Sequence, residues 1–256
     1  MGRTSPGGSF ISLAAEQRTR FVVCHAERLA QMRGRLNRAP SGRAGECLFF
    51  PLSDGEDASR LLAALNHKRL LDRFHLVQES DTDLREQLLS GFFDGIAAEY
   101  QQLIHPQQNL ANIHALVDWL LQDLQAGAGR FIDLGCGTGT SREIIESTGG
   151  SVIGVESSSR MRALAESAGM RVVEPQDVST LPLAAGAFAS YVLHLDPTPR
   201  ELPALLGRLR EGASFVANLH KGQGLAELED YVAQIGARLD HGPFHPQHGR
   251  YVKVHA

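Results

Sequence analysis

The chain has 256 residues, 43% hydrophobic and 21% charged, with a formal net charge of −4 and three cysteines. This balance fits a soluble globular protein with one large domain, or a core of about 130 residues with an appendage. No apolar run approaches the ~18 residues of a membrane span and no signal-peptide core opens the chain, so neither a membrane protein nor an exported one is expected.

Cys24, Cys47 and Cys136 lack metal-ligand spacing and read as free thiols of a reducing cytoplasm. Pro6 stands where a myristoylation motif needs Ser or Thr. Charge is uneven. Residues 1–45 hold eight arginines against Glu16 and Glu27, a local +6, and the remainder sums to −10. A basic arm of this kind suits an acidic partner such as RNA. A helix with a solvated basic face is preferred, because the arginines lack the interleaved aromatic run that stacks single strands.

In chain order, residues 1–9 are rich in Gly, Ser and Pro, and residues 11–36 suggest a helix with Val22, Ala26, Leu29, Met32 and Leu36 on one stripe. Pro40–Gly45 reads as a loop, and Cys47–Leu52 as a short strand or a buried connector. After a turn at Ser53–Glu56, a leucine-rich helix is expected from Asp57 to Phe74. A stripe follows at Leu84, Leu88, Phe92, Ile96 and Tyr100, with Gly91 and Gly95 as weak points. Leu110 to Leu124 forms an amphipathic helix stopped by Gly127 and Gly129.

From Arg130 strands and helices alternate. Phe131, Ile132 and Leu134 form a short apolar run carrying Asp133, followed by Gly135, Gly137 and Gly139. Thr140-Ser-Arg-Glu143 then reads as a capping box opening a helix. Further strands are expected at Val152–Val155, Met170–Val173, Phe188–Leu193 and Ser214–Leu219. Helices are expected at Ser157–Ala168, Pro199–Arg210 and Ala226–Arg238. Tyr251–His255 is expected to pair as a hairpin with the region near Leu239. The alternation implies an α/β fold with a parallel, doubly wound sheet.

The glycine turn needs a ligand that approaches backbone, since three residues there lack side chains. A dinucleotide fingerprint would place its third small residue at Thr140, and no P-loop pattern is present. Asp133-Leu-Gly135-Cys-Gly137-Thr-Gly139 instead resembles the first motif of class I S-adenosylmethionine-dependent methyltransferases. Glu156, 17 residues after Gly139 and at the end of the second strand, is the acid that either ribosyl cofactor would need.

That resemblance covers residues 91–256 and implies a Rossmann-like seven-stranded domain with an antiparallel final strand. Residues 1–90 would form a mainly helical N-terminal segment over the acceptor side. By the resemblance, Asp133 orients the methionine amine and the backbone from Gly135 through Cys136 and Gly137 to Gly139 takes the methionine part. Glu156 takes the ribose, and Asp177 with Val178, ahead of Leu181-Pro182, takes the adenine. Gly91–Tyr100 resembles the family's partial lid, which makes Phe93 and Tyr100 candidates to border the methionine end. The cofactor is then S-adenosyl-L-methionine and the product S-adenosyl-L-homocysteine.

His194, at the end of the fourth strand, is a candidate general base or a wall of the pocket. The expected reaction is in-line methyl transfer to a small-molecule O, N, S or C nucleophile, in which alignment is the main protein contribution. The absence of an Asn/Asp-Pro-Pro-Tyr/Phe signature argues against amino-methylation of adenine, cytosine or glutamine amides. RNA or protein methylation through the basic arm, and a non-catalytic cofactor-binding protein, are the other readings. His241, His245 and His248 tempt a metal reading, but no cysteine or close carboxylate completes a set, so no metal is expected.

Overall fold

A computed structural model describes residues 19–52, 56–122 and 129–255. The chain divides into two compact units, one running to Ile104 with Ser158–Arg160, the other made of His105–Ser157 and Met161–Ala256. All three cysteines are free and buried. No helix among the described residues is long and apolar enough to cross a membrane.

The first unit is built on β1 (Arg20–His25), followed by α1 (Leu29–Leu36), β2 (Gly42–Ala44) and β3 (Cys47–Leu52). Then come α2 (Glu56–Ala63), β4 (His67–Leu70), β5 (Phe74–Val77), α3 (Thr82–Ile96) and α4 (Tyr100–Leu103). The five strands form one sheet in the order β2-β3-β1-β5-β4, with β1 antiparallel to β3 and parallel to β5. The expectation of a mainly helical N-terminal segment is therefore corrected. Residues 20–25 are Arg-Phe-Val-Val-Cys-His, a β-branched and aromatic run buried on both faces. Such a strand shows no alternation, and the helical spacing of Val22, Ala26 and Leu29 is coincidental. Only Leu29–Leu36 of the expected helix is α-helical; residues 11–18, like most of the basic arm's first half, lie outside the described residues.

The second expected helix is also corrected. It stops at Ala63, and His67–Leu70 pairs antiparallel with Phe74–Val77. The chain reverses at Leu71 and Asp72, both in the left-handed region (φ 47° and 56°), with Arg69 bonded to the Asp72 carbonyl. The Ser53–Glu56 turn falls largely outside the described residues.

One face of this sheet gathers Val22, Cys24, Met32, Leu48, Phe50, Leu52 and Val77, with leucines of α1 and α2 packed on it. The rings of Phe49, Phe74 and Phe92 meet in a separate aromatic group: Phe74 lies 5.1 Å from Phe92 and 6.4 Å from Phe49. Helix α3 starts at Asp81, whose carboxylate accepts the Leu84 N–H. Its glycines are contacts, not weak points. A Cβ at Gly91 would stand 2.6 Å from the Ala44 carbonyl oxygen and 2.7 Å from Cys47 Cβ. Alanine would gain about 1 kcal/mol of helix propensity but force the helix off the sheet. Gly91→Ala is expected to destabilise the protein by a net of about 1–2 kcal/mol in urea denaturation.

His75 on β5 supplies a pH dependence. It is buried, and neither ring nitrogen has a hydrogen bond among the described residues. Burial, with His67, Arg20 and Arg69 nearby, lowers its pKa from 6.5 to about 4. The unfolded chain therefore takes the proton first: stability is whole above pH 6.5 and is lost as pH falls toward 4. The loss is roughly 3 kcal/mol. His75→Leu is expected to remove it, measured as denaturation midpoint at pH 7 and pH 4.5.

The second unit begins with α5 (Pro106–Leu121), then β6 (Arg130–Leu134), α6 (Ser141–Ser147), β7 (Ser151–Val155), α7 (Ser159–Ser167) and β8 (Arg171–Val173). After a 3-10 turn at Pro175–Thr180 follow β9 (Gly186–Ala189), α8 (Leu202–Leu206), β10 (Ser214–Leu219), α9 (Leu225–Gln234), β11 (Arg238–His245) and β12 (Gly249–His255). Leu124 and Gly127, expected at the end of α5, lie outside the described residues. The sheet order is β11-β12-β10-β9-β6-β7-β8, parallel except that β12 runs antiparallel to both its neighbours. Phe131, Phe188 and Val216 pack with α5 and α6 on one face. Ile132, Val155 and Ala217 pack with α8 and α9 on the other. This is the expected doubly wound α/β sheet with its terminal hairpin.

The fourth strand of this sheet is shorter than expected. It ends at Ala189 because the next two residues are captured from the side. Asn112 of α5 donates to Ser190 Oγ at 2.8 Å, and Asn218 Oδ1 of β10 accepts the Tyr191 N–H at 2.8 Å. Tyr191 then turns into the left-handed region at φ 57° and leads the chain out of the sheet.

Candidate active site

Neighbouring strands β6 and β9 are the point where chain order reverses, so their C-terminal ends open the crevice of a doubly wound sheet. Beyond β6 the chain turns through Gly135, Gly137 and Gly139 at φ 70°, 55° and 81°. The N–H groups of Gly135 and Cys136 both donate to the Val155 carbonyl, at 2.7 and 3.2 Å, fastening the turn to the end of β7. The Cys136 side chain packs inward against Gly154, so this residue offers the crevice its backbone. A side chain at Gly137 would meet no atom within 4 Å, and the turn is open there.

Two carboxylates flank that opening. Glu156, the first residue after β7, is buried and accepts the Gly137 N–H on Oε2 at 3.0 Å. Arg162 of α7 holds its backbone, donating to the carbonyls of Glu156 and Ser157 at 2.8 Å each, and reaches Glu174 beyond β8 at 2.7 Å. Asp133 is buried in β6 and accepts the Ser141 hydroxyl. Burial pushes its carboxyl up to about 7; the Ser141 bond opposes the shift and the Glu156 carboxylate adds to it. The expected capping box does not form. Thr140 already has helical backbone angles and makes no side-chain cap bond, while the Ser141 hydroxyl is spent on Asp133.

Asp177 lies in the 3-10 turn after β8, exposed, with its carbonyl bonded by Thr180 Oγ1 at 2.7 Å. Val178 beside it is buried in the core. The turn therefore holds the Asp177–Val178 backbone in place while leaving the carboxylate outside. Asp133, the glycines and Glu156 come together at one sheet edge, with the Asp177 turn on the same edge after β8. Phe93 of α3 and Tyr100 of α4 belong to the first unit, where their rings meet edge to face at 6.2 Å.

The segment after β9 abuts the glycine turn: a side chain on Gly135 would overlap Val192. It carries buried His194, which stands 6.3 Å from the Tyr191 ring and 5.7 Å from His220. His220 directly follows β10. His248 directly precedes β12, and its Nδ1 lies 2.6 Å from the Tyr191 hydroxyl. Two buried amides hold this group. Asn112 donates to Asn218 Oδ1 at 2.9 Å and accepts the Tyr251 hydroxyl at 2.8 Å, while Asn218 donates to the His248 carbonyl at 2.8 Å. Sequence reasoning missed Tyr191, His220, Asn112 and Asn218, and singled out His248 only within the loop weighed for metal. The available signal was an asparagine inside each of two apolar stretches, Asn112 among the leucines of α5 and Asn218 within Phe-Val-Ala-Asn-Leu. Of the three histidines weighed for metal, His245 and His248 stack at 4.1 Å while His241 pairs with Glu229 at 3.1 Å. Among the described residues no group of His, Cys, Asp or Glu has a metal-holding arrangement.

Residues 132–201 match the family model described as a methyltransferase domain. No curated protein matches the chain. Among solved structures, magnesium protoporphyrin IX methyltransferase from Synechocystis PCC 6803 with bound SAM superposes with a TM-score of 0.50 at 16% identity, covering 69% of this chain and 99% of that one. A TehB-like SAM-dependent methyltransferase from Corynebacterium glutamicum has a TM-score of 0.46 at 17% identity, with 62% and 96% covered. The sugar N-methyltransferase KedS8 from Streptoalloteichus has 0.46 at 15%, with 57% and 87% covered. The fold and the domain match agree: residues 132–201 match a methyltransferase domain, and the sheet that contains them has the fold of the structure solved with bound SAM.

Proposed function

We propose that the chain transfers a methyl group from S-adenosylmethionine to a small-molecule nucleophile. The observation that carries this reading is the junction of the glycine turn with Glu156. The Gly137 N–H is fixed on the Glu156 carboxylate, and the space above Gly137 is open. These residues fit a ribosyl cofactor: a carboxylate at the end of β7 accepts hydrogen bonds from paired ribose hydroxyls, and a turn without side chains admits the methionine part.

When bound, the sulfonium cofactor supplies an electrophilic methyl carbon. The chain's own residues then have distinct tasks. Asp133 binds the methionine ammonium, and the backbone from Gly135 to Gly139, Cys136 included, lines the methionine part. Glu156 orients the ribose. Asp177 and the Val178 backbone amide border the adenine. His194 forms part of the wall on the acceptor side. Alignment of the nucleophile with the methyl carbon is the main catalytic contribution of such a site.

The test is incubation with methyl-tritiated S-adenosylmethionine and a cell extract, followed by separation by size. Label in a small molecule other than S-adenosylmethionine and its breakdown products, appearing only when the protein is added, supports the proposal. Protein-dependent label found only in RNA or protein would assign a macromolecular acceptor and overturn it.

A further inference from the structure

We propose that Tyr191 and His248 form a proton relay on the acceptor side of this site, and that the acceptor is a planar phenol or enol whose hydroxyl meets the Tyr191 oxygen. The proposal rests on the methyltransferase reading above and names the acceptor class of the same site.

Placement comes first. Tyr191 and His194 follow β9, His220 follows β10, and His248 precedes β12. Leu219 of β10 pairs with Arg250 of antiparallel β12, so the residues before β12 lie at the same sheet edge as those after β10. Contact of Val192 with Gly135 puts this edge against the glycine turn. The rings of Tyr191, His194 and His220 lie edge to face at 5.7–6.3 Å, a wall suited to a flat acceptor.

The hydrogen-bond inventory comes next. A tyrosine hydroxyl has one donor and two acceptor positions. At Tyr191 the hydroxyl lies 2.6 Å from His248 Nδ1, which accepts its proton when the neutral imidazole carries its hydrogen on Nε2, and Gln108 Nε2 donates to the oxygen at 3.4 Å. One lone pair is left for a further donor, on a half-buried residue. The pair is held with unusual care. Asn218 takes the Tyr191 N–H with its oxygen and gives its amide proton to the His248 carbonyl. Tyr191 itself has φ 57°, a strained setting for an aromatic residue that persists only where surroundings impose it.

The protonation states suit the task. Burial, with His245 and His220 nearby, holds His248 below the ordinary imidazole value, so it is neutral at pH 7. Burial raises Tyr191, so it remains a phenol, although the Gln108 bond opposes the shift. The acceptor O–H proton moves to the Tyr191 oxygen as the tyrosine proton moves to Nδ1 of His248. The electron pair left on the acceptor oxygen forms the bond to the methyl carbon, whose bond to sulfur breaks with its electrons remaining on sulfur. The imidazolium then returns its proton to water. The net transfer runs from the acceptor hydroxyl to the His248 imidazole; it is uphill for a phenol of pKa about 10, and methyl transfer with loss of the imidazolium proton to water draws it forward. An aliphatic alcohol, about as weak an acid as water, is far harder to ionise, and an amine or thiolate needs no relay.

The test is titration of 4-nitrophenol at pH 6 into protein saturated with S-adenosylhomocysteine, read at the nitrophenolate absorbance band. Wild type is expected to bind the probe as phenolate. His248→Gln keeps an acceptor for the Tyr191 hydroxyl but takes no proton, so it should bind with similar affinity and at least tenfold less phenolate. Tyr191→Phe should lose the phenolate signal by at least the same factor. Unchanged phenolate in either variant, or no binding of 4-nitrophenol to loaded wild type, would overturn the relay. Failure of S-adenosylhomocysteine itself to saturate wild type would overturn the methyltransferase reading, and the relay with it.

Discussion

Glu156→Ala is expected to weaken S-adenosylhomocysteine binding by about 100-fold or more while leaving the fold intact. Two effects add. The carboxylate is the proposed partner of the ribose, and hydrogen bonds to a charged group contribute about 1.5–3 kcal/mol each. It also accepts the Gly137 N–H at 3.0 Å, so its removal frees a donor at the most open point of the glycine turn. Loss of about 2.7 kcal/mol corresponds to the hundredfold effect. The fold should survive, because Gly135 and Cys136 stay bonded to the Val155 carbonyl and the β6–β7 ladder does not involve the side chain. Calorimetric titration measures the affinity, and a thermal melt of the ligand-free variant checks the fold. An affinity within threefold of wild type would remove Glu156 from the site.

Asp133→Asn should alter stability and binding in opposite directions. The Asp133 carboxyl is raised from 3.8 to about 7 in the folded protein, chiefly by burial. A raised pKa means that its contribution to stability is complete below pH 3.8 and is lost as pH climbs through 7. The loss amounts to roughly 4 kcal/mol by pH 8. Asparagine keeps the shape and carries no charge, so the ligand-free variant should be more stable than wild type at pH 8 and nearly equal at pH 4. Binding should weaken, because the methionine ammonium loses its counter-charge. The ammonium also favours the ionised carboxyl, so wild type should release close to one proton on binding at pH 6 and almost none at pH 8. Calorimetry in two buffers of different ionisation heat measures this. Binding without proton release at pH 6 would place the ammonium elsewhere.

The half of the chain built from alternating strands and helices was legible from its sequence because each element carries its own punctuation. Phe131–Leu134, the glycine turn and Glu156 are local in sequence, and the parallel sheet that joins them follows from the alternation. The first unit was not legible, for a physical reason. Phe21, Val22, Val23 and Cys24 are buried on both faces, so β1 has no period of two, and Val22, Ala26 and Leu29 mimic a helical stripe. The hairpin His67–Val77 hides behind leucines that continue the pattern of α2 across a left-handed turn at Leu71 and Asp72. Thr140 to Glu143 has the spacing of a capping box, but a nearby buried carboxylate claims the serine between them. Tyr191, His194, His220 and His248 could not be joined in advance either. They come from the ends of three strands, and only the antiparallel placement of β12 brings the last to the others.

The central claim is a site for S-adenosylmethionine between the glycine turn and Glu156. Its most direct test is calorimetric titration of S-adenosylmethionine, S-adenosylhomocysteine and NAD into the wild-type chain. Micromolar binding of both adenosyl ligands, about −8 kcal/mol, with no heat from NAD, is the predicted result. Binding of NAD in their place, or of none of the three to a folded sample, would contradict it.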